Sequence, residues 1–193
     1  MFGTVNMRAS PRISKKILST NGAAIVEFAV SLPLLIVVVV GIFDFSAAFN
    51  LKEKLNNAAR EGAHFGAAQP TNDLCTACGA PPSVDAIRYV VDSYLTAARI
   101  NDCGLATAAV PGSGPPWQYT ASTGCSGTLT LTITRALALS ETVGSTEIKL
   151  LCTQVNISAP YPWRFNNVIK LISTNGNPTL ANIQSDAISV NQD

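Results

Sequence analysis

Charge is what this chain has least of. Only 13% of its 193 residues are Asp, Glu, Lys or Arg, about half the share of an ordinary soluble domain. With 47% hydrophobic residues, that scarcity fits a chain that is partly in lipid. Histidine is almost absent: His64 stands alone, which excludes a paired-histidine metal signature. No Ser or Cys sits in a motif that would recruit it for hydrolysis, so His64 reads as a surface or packing residue. A phosphate-cradling glycine motif followed by a helix is missing too, as are internal repeats and low-complexity tracts. These absences argue against an enzyme and imply no cofactor and no metal.

The charges that exist are unevenly placed. Residues 1–22 hold Arg8, Arg12, Lys15 and Lys16 and no acid, and without them 9 basic residues face 12 acidic ones. The positive character therefore belongs to a leader, and the remainder gives no reason to expect nucleic-acid binding. From residue 28 to residue 43 there is no charge at all, and Glu27 is the only one from 23 to 43. Residues 23–45 are long enough to span a bilayer. Glu27 and Asp44 would lie about 26 Å apart along a helix, which puts the two carboxylates at opposite interfaces. Four cations before the span place residue 1 inside and the C-terminal bulk outside. A secretory signal peptide cut near Ser46-Ala47-Ala48 is the competing reading. The long lead-in and the carboxylate within the apolar run oppose it.

Beyond the span the helical period continues. Leu51, Leu55, Ala58, Ala59 and Gly62 recur at intervals of three and four until Gln69-Pro70, so one helix is expected over 23–68. Pro33 inside the span removes one backbone donor and crowds the carbonyl of Ala29, a mild kink that a hydroxyl such as Ser31 can relieve. Ser83 reads as the cap of a second helix, with Val84, Ile87, Val91, Tyr94 and Ala98 as its buried stripe. A short strand is expected near 117–120 and a clear alternating strand over 129–134. Another strand runs over 147–157, where the Leu150-Leu151 pair breaks the alternation and suggests burial on both faces or a bulge, and a last one over 180–190. Phe165, Val168, Ile169 and Ile172 suggest a short helix. The Tyr161, Trp163 and Phe165 rings read as a plug between that helix and the sheet. The fold class is α+β, with the stem of the long helix covering one face of a small antiparallel sheet. The domains are a leader (1–22), the long helix (23–68) and an extracytoplasmic domain (69–193).

All five cysteines, Cys75, Cys78, Cys103, Cys125 and Cys152, lie past the span, where disulfides can form. The odd count leaves at least one thiol free or bonded to another chain. Cys103–Cys125 is the favoured pair, stapling a long loop, with Cys75 or Cys78 in a second bond.

The segment Gly22-Ala23-Ala24-Ile25-Val26-Glu27-Phe28-Ala29 is the most informative in the chain. A carboxylate in an apolar span costs about 2.5–3.5 kcal/mol at mid-bilayer and is rarely without a role. With Leu32-Pro33, Gly41-Ile42-Phe43-Asp44-Phe45 and Asn57-Ala58-Ala59-Arg60-Glu61-Gly62-Ala63, it resembles the TadE-like family, the pseudopilins or minor pilins of the tight-adherence (Flp) pilus. Tyr161-Pro162-Trp163 after a strand is loosely similar as well, whereas 69–146 carries no family signal. The resemblance implies cleavage by a prepilin peptidase between Gly22 and Ala23, with Glu27 as the assembly carboxylate and Phe28 beside it. It also implies other pilin-like subunits as partners, a single pass through a bacterial inner membrane, and a role in surface adhesion. A membrane-anchored or secreted binding protein with no filament role is the alternative.

Overall fold

The computed structural model describes residues 20–74, 79–112, 114–143, 146–163 and 181–192. The leader up to residue 19, Cys75, Cys78 and the expected helix from Phe165 to Ile172 lie outside the described residues. The first element, α1, is one helix from Thr20 to Ala67. The chain divides into two compact units at Val39/Val40. Within the first, no residue from 22 to 39 is buried. Ser31 Oγ donates to the carbonyl oxygen of Phe28 at 3.1 Å, not to that of Ala29, the carbonyl that Pro33 leaves without its usual donor.

The second unit is built on the rest of α1. A second helix, α2 (Pro82–Ala97), follows, then a single 3₁₀ turn at Leu105–Thr107. Four strands complete it: β1 (Trp117–Ala121), β2 (Leu129–Val143), β3 (Thr146–Tyr161) and β4 (Ala181–Val190). They pair antiparallel in the order β1-β2-β3-β4. The architecture is α+β, as the hydrophobic periods indicate.

One sheet face is apolar because the strands alternate. Leu129, Leu131 and Ile133 are buried and the intervening threonines half-exposed, and Val155, Ile157 and Ala159 continue the face on β3. Leu55, Ala58, Ala59 and Ala63 of α1 join the same core cluster as Ile87, Val91 and Leu95 of α2. Small side chains on α1 permit this closeness. A Cβ on Gly62 would come within 2.7 Å of a Val91 methyl, and one on Gly66 within 2.6 Å of Ile87 and 2.7 Å of Thr153. The stripe on α2 differs in detail from the expectation: Leu95 is fully buried, while Tyr94 and Ala98 are only partly so.

Polar groups fix the corners. Ser83 does not cap α2. Pro81 holds that position, and the Asp73 carboxylate instead accepts the Ser83 amide at 3.1 Å. Ser83 Oγ is turned to Arg135, whose guanidinium also donates to the carbonyls of Gln69 and Pro70. Arg135 is buried and reaches them from a bulge: pairing jumps from Thr134 to Leu137, and Ala136 takes a left-handed φ of 55°. The bulge is therefore on β2, and Leu150 and Leu151 pair regularly with Leu139 and Ala138. Arg88, also buried, donates to Asp85 at 2.8 Å and to the carbonyls of Leu105 and Ala106. Tyr119 donates to the same Asp85, and burial first, then that carboxylate, pushes its phenol well above the ordinary value.

Asp92 on α2 is half-buried, and one of its carboxylate oxygens is fully buried with no hydrogen-bond partner among the described residues. Burial, followed by hydrogen bonding and repulsion from Asp102, raises its pKa; the Ala106 amide and Arg88 only partly offset this. A raised folded-state pKa stabilises the protein below the unfolded value and is lost as pH rises through the folded one. Asp92→Asn is therefore expected to melt above the parent at neutral pH, and the gap should close on acidification. Thermal scans at the two pH values check it. Gly66→Leu overfills the contact with Ile87 and Thr153 and should cost about 1–3 kcal/mol in denaturant unfolding.

Candidate functional site

The residues expected to carry processing and assembly all lie on the first turns of α1. Gly22, Ala23, Glu27 and Phe28 are exposed, and nothing lies within 4 Å of where a Cβ on Gly22 would be. Ala23 and Glu27 are one turn apart on one face, about 6 Å along the axis. Around them Ile25, Val26 and Phe28 are each more than 60% exposed. An apolar surface of this kind is stable only against lipid or another apolar chain. The helix is long and apolar enough to cross a membrane, and it fits a single-pass anchor.

Where the apolar run ends, the chain changes character. Asp44 is only 3% exposed. The Tyr161 hydroxyl donates to its Oδ1 at 2.9 Å and lies 3.1 Å from its backbone carbonyl. A buried carboxylate needs such partners, because its desolvation is otherwise uncompensated. Trp163 stands edge-on to Tyr161, with ring centres 5.2 Å apart, and edge-on to Phe45 at 5.5 Å. Trp163 thus packs on Phe45 of α1; Phe165 and the short helix expected beside these rings lie outside the described residues. Pro33 and Phe43 sit on exposed helix surface.

Next to this corner lies a cleft of about 400 Å³. Asn50, Leu51 and Lys54 of α1 form one wall, with Arg99, Asn101 and the segment 159–162 opposite. Lys54 Nζ donates to the Ala98 carbonyl at 3.0 Å, satisfying the end of α2. Arg99 holds a φ of 57° at the position after the helix where glycine is usual.

Cys103 and Cys125 are bonded, with Cα atoms 5.3 Å apart. Cys152 is a buried free thiol. His64 is exposed on α1. Among the described residues no group of three or more His, Cys, Asp and Glu could hold a metal ion.

Sequence reasoning located the exposed motif but missed the Asp44–Tyr161 link and the two buried arginines. The pairing of Asp44 with a tyrosine 117 positions later leaves no local signature. Arg88 and Arg135 could have been flagged only as cations inside otherwise buried stripes.

Residues 22–64 match the family model for TadE-like protein. The match covers the exposed motif, the span and most of the packed stem of α1, and it associates them with pilin-like proteins of the tight-adherence pilus. It stops before α2, so the looser likeness around Tyr161-Pro162-Trp163 is not part of it. No curated protein and no solved structure matches the chain.

Tyr161→Phe removes one donor from a buried carboxylate and should cost about 1–3 kcal/mol. Unfolding of the full chain in detergent measures this, and a loss below the error of that measurement would contradict the assignment of Asp44 as a group that depends on Tyr161.

Proposed function

We propose that this chain is a minor pilin, or pseudopilin, of a tight-adherence pilus. In this reading a prepilin peptidase cuts between Gly22 and Ala23, and residues 23–45 hold the protein in the bacterial inner membrane with residues 69–193 outside. The mature chain then joins other pilin-like subunits through the apolar half of α1. The observation that carries the reading is Glu27, a carboxylate on the uncovered apolar surface of α1 within a TadE-like stretch.

The chemistry follows from the positions. A peptidase at the membrane face needs a residue without a side chain before the scissile bond and free access to it, and Gly22 supplies both. Hydrolysis leaves a new α-ammonium on Ala23, one helical turn from Glu27. Among stacked subunits, the ammonium of one can meet the Glu27 carboxylate of the next inside an apolar seam. An unmatched charge there would cost several kcal/mol, so the pair selects axial register more than it adds stability. The four leader cations support the inside position of the N-terminus. The matched family is not one of enzymes, and the chain's contribution would be structural: starting or capping the fibre that mediates surface adhesion.

Glu27→Ala tests the register argument. The variant is expected to enter the membrane as the parent does and to disappear from pilus complexes recovered by co-purification. Retention in those complexes, or failure to insert, contradicts the role given to Glu27. A strain lacking the chain should still make the major pilin but leave it unassembled; normal fibres in that strain would exclude a priming role.

A further inference from the structure

The last turns of the apolar run do not meet water alone. Phe45 and Phe49 are 60% and 68% exposed and, one turn apart, share a face of α1. Trp163 lies edge-on to Phe45, delivered there from the end of β3, and Tyr161 beside it is fixed by its bond to Asp44. So the folded domain, not only its helix, brings rings to the level where the span stops. Trp and Tyr favour the headgroup zone, where an apolar body and a polar tip are both satisfied.

The neighbouring cleft has the matching charge. Lys54 and Arg99 line it, with Asn50 and Asn101, and none of its described lining residues is Asp or Glu. Lys54 is about 15 Å along the helix from Asp44, which leaves it within about a Debye length of headgroup phosphates. A cation at that distance from an anionic surface gains affinity from it. Arg99 keeps a left-handed backbone at a position where glycine would be unstrained.

We infer that Phe45, Phe49 and Trp163, with the buried Tyr161 holding Trp163 in place and Lys54 and Arg99 behind them, form a lipid-docking face that rests in the headgroup layer of an anionic bilayer. The inference depends on the reading of α1 as a membrane span. It adds that the domain itself is held on the lipid surface, so that entry into a fibre has to release this contact as well as withdraw the helix. Water-facing alternatives leave Phe45 and Phe49 exposed and give the cleft cations no carboxylate among the described lining residues.

The chain contains two tryptophans, and Trp117 is buried in the domain core at 1% exposure. Trp163 can therefore be read against an internal reference. The full-length protein and Trp163→Phe are reconstituted into vesicles of phosphatidylcholine and phosphatidylglycerol whose acyl chains carry bromine either near the headgroup or near the methyl end. Only protein that floats with the vesicles is scored; failure to float counts against the membrane span, not against the docking face. The difference between the two proteins gives the Trp163 signal. That signal should be quenched roughly twofold more by bromine near the headgroup than by deep bromine, while Trp117, read in Trp163→Phe, stays unquenched. Arg99→Glu should weaken Trp163 quenching in vesicles containing phosphatidylglycerol and leave it unchanged in pure phosphatidylcholine. Quenching of Trp163 no greater than that of Trp117 overturns the proposal. So does an Arg99→Glu variant quenched as strongly as the parent on the anionic vesicles.

Discussion

Apolar surface on every side of a helix has to be covered by something other than water, and α1 carries such surface from Ala23 to Phe43. This requirement organises the molecule. It separates the part of α1 that needs lipid or neighbouring helices from the part beyond Leu51, where an amphipathic stripe lets the same helix pack. It also makes Glu27 conspicuous, because a single carboxylate on that surface is tolerated only at an interface or opposite a positive charge.

The packed half of α1 shows how a helix can serve as both anchor stem and core element. Beyond Leu55 its buried positions, Ala58, Ala59, Gly62, Ala63, Gly66 and Ala67, are small, so backbone and partner approach closely there and the larger residues come from α2 and the sheet. The far side of the domain is tied back by polar contacts along the same helix: Ser185 to Asn56, and the Gln192 amide to the Ala67 carbonyl. Near the apolar end, the Tyr161 hydroxyl on Asp44 serves the same purpose and gives a buried carboxyl group one donor.

Elements with a local period were legible in the sequence. The long helix, α2, the four strands and their class follow from spacings of three to four and of two, and the alternation at Leu129 to Thr134 matches the observed burial residue by residue. The missed parts are those where pairing overrides a local pattern. The second half of β2 was hidden because Arg135 interrupts the apolar alternation; Leu137 and Leu139 keep the spacing of two from Ile133, but the bulge at Arg135-Ala136 turns them to the other face. The Leu150-Leu151 pair looked like the irregularity because both are apolar, yet they occupy opposite faces of a strand whose end is partly solvent-exposed. The cap position of α2 is held by Pro81, and the Ser83 amide goes to Asp73, ten residues away, while Arg135 draws the Ser83 hydroxyl. In the candidate site, Gly22, Glu27 and Phe28 could be named from sequence because their signal is contiguous. The Asp44–Tyr161–Trp163 corner could not, because it joins residues from the two ends of the chain.

The central claim is that Glu27 awaits the terminus created beside it. Intact-mass and N-terminal peptide analysis of the protein taken from the membranes of its native host tests that directly. The account predicts a mature chain beginning at Ala23. A chain that keeps its first twenty-two residues, or one that begins near Ala48, would contradict it.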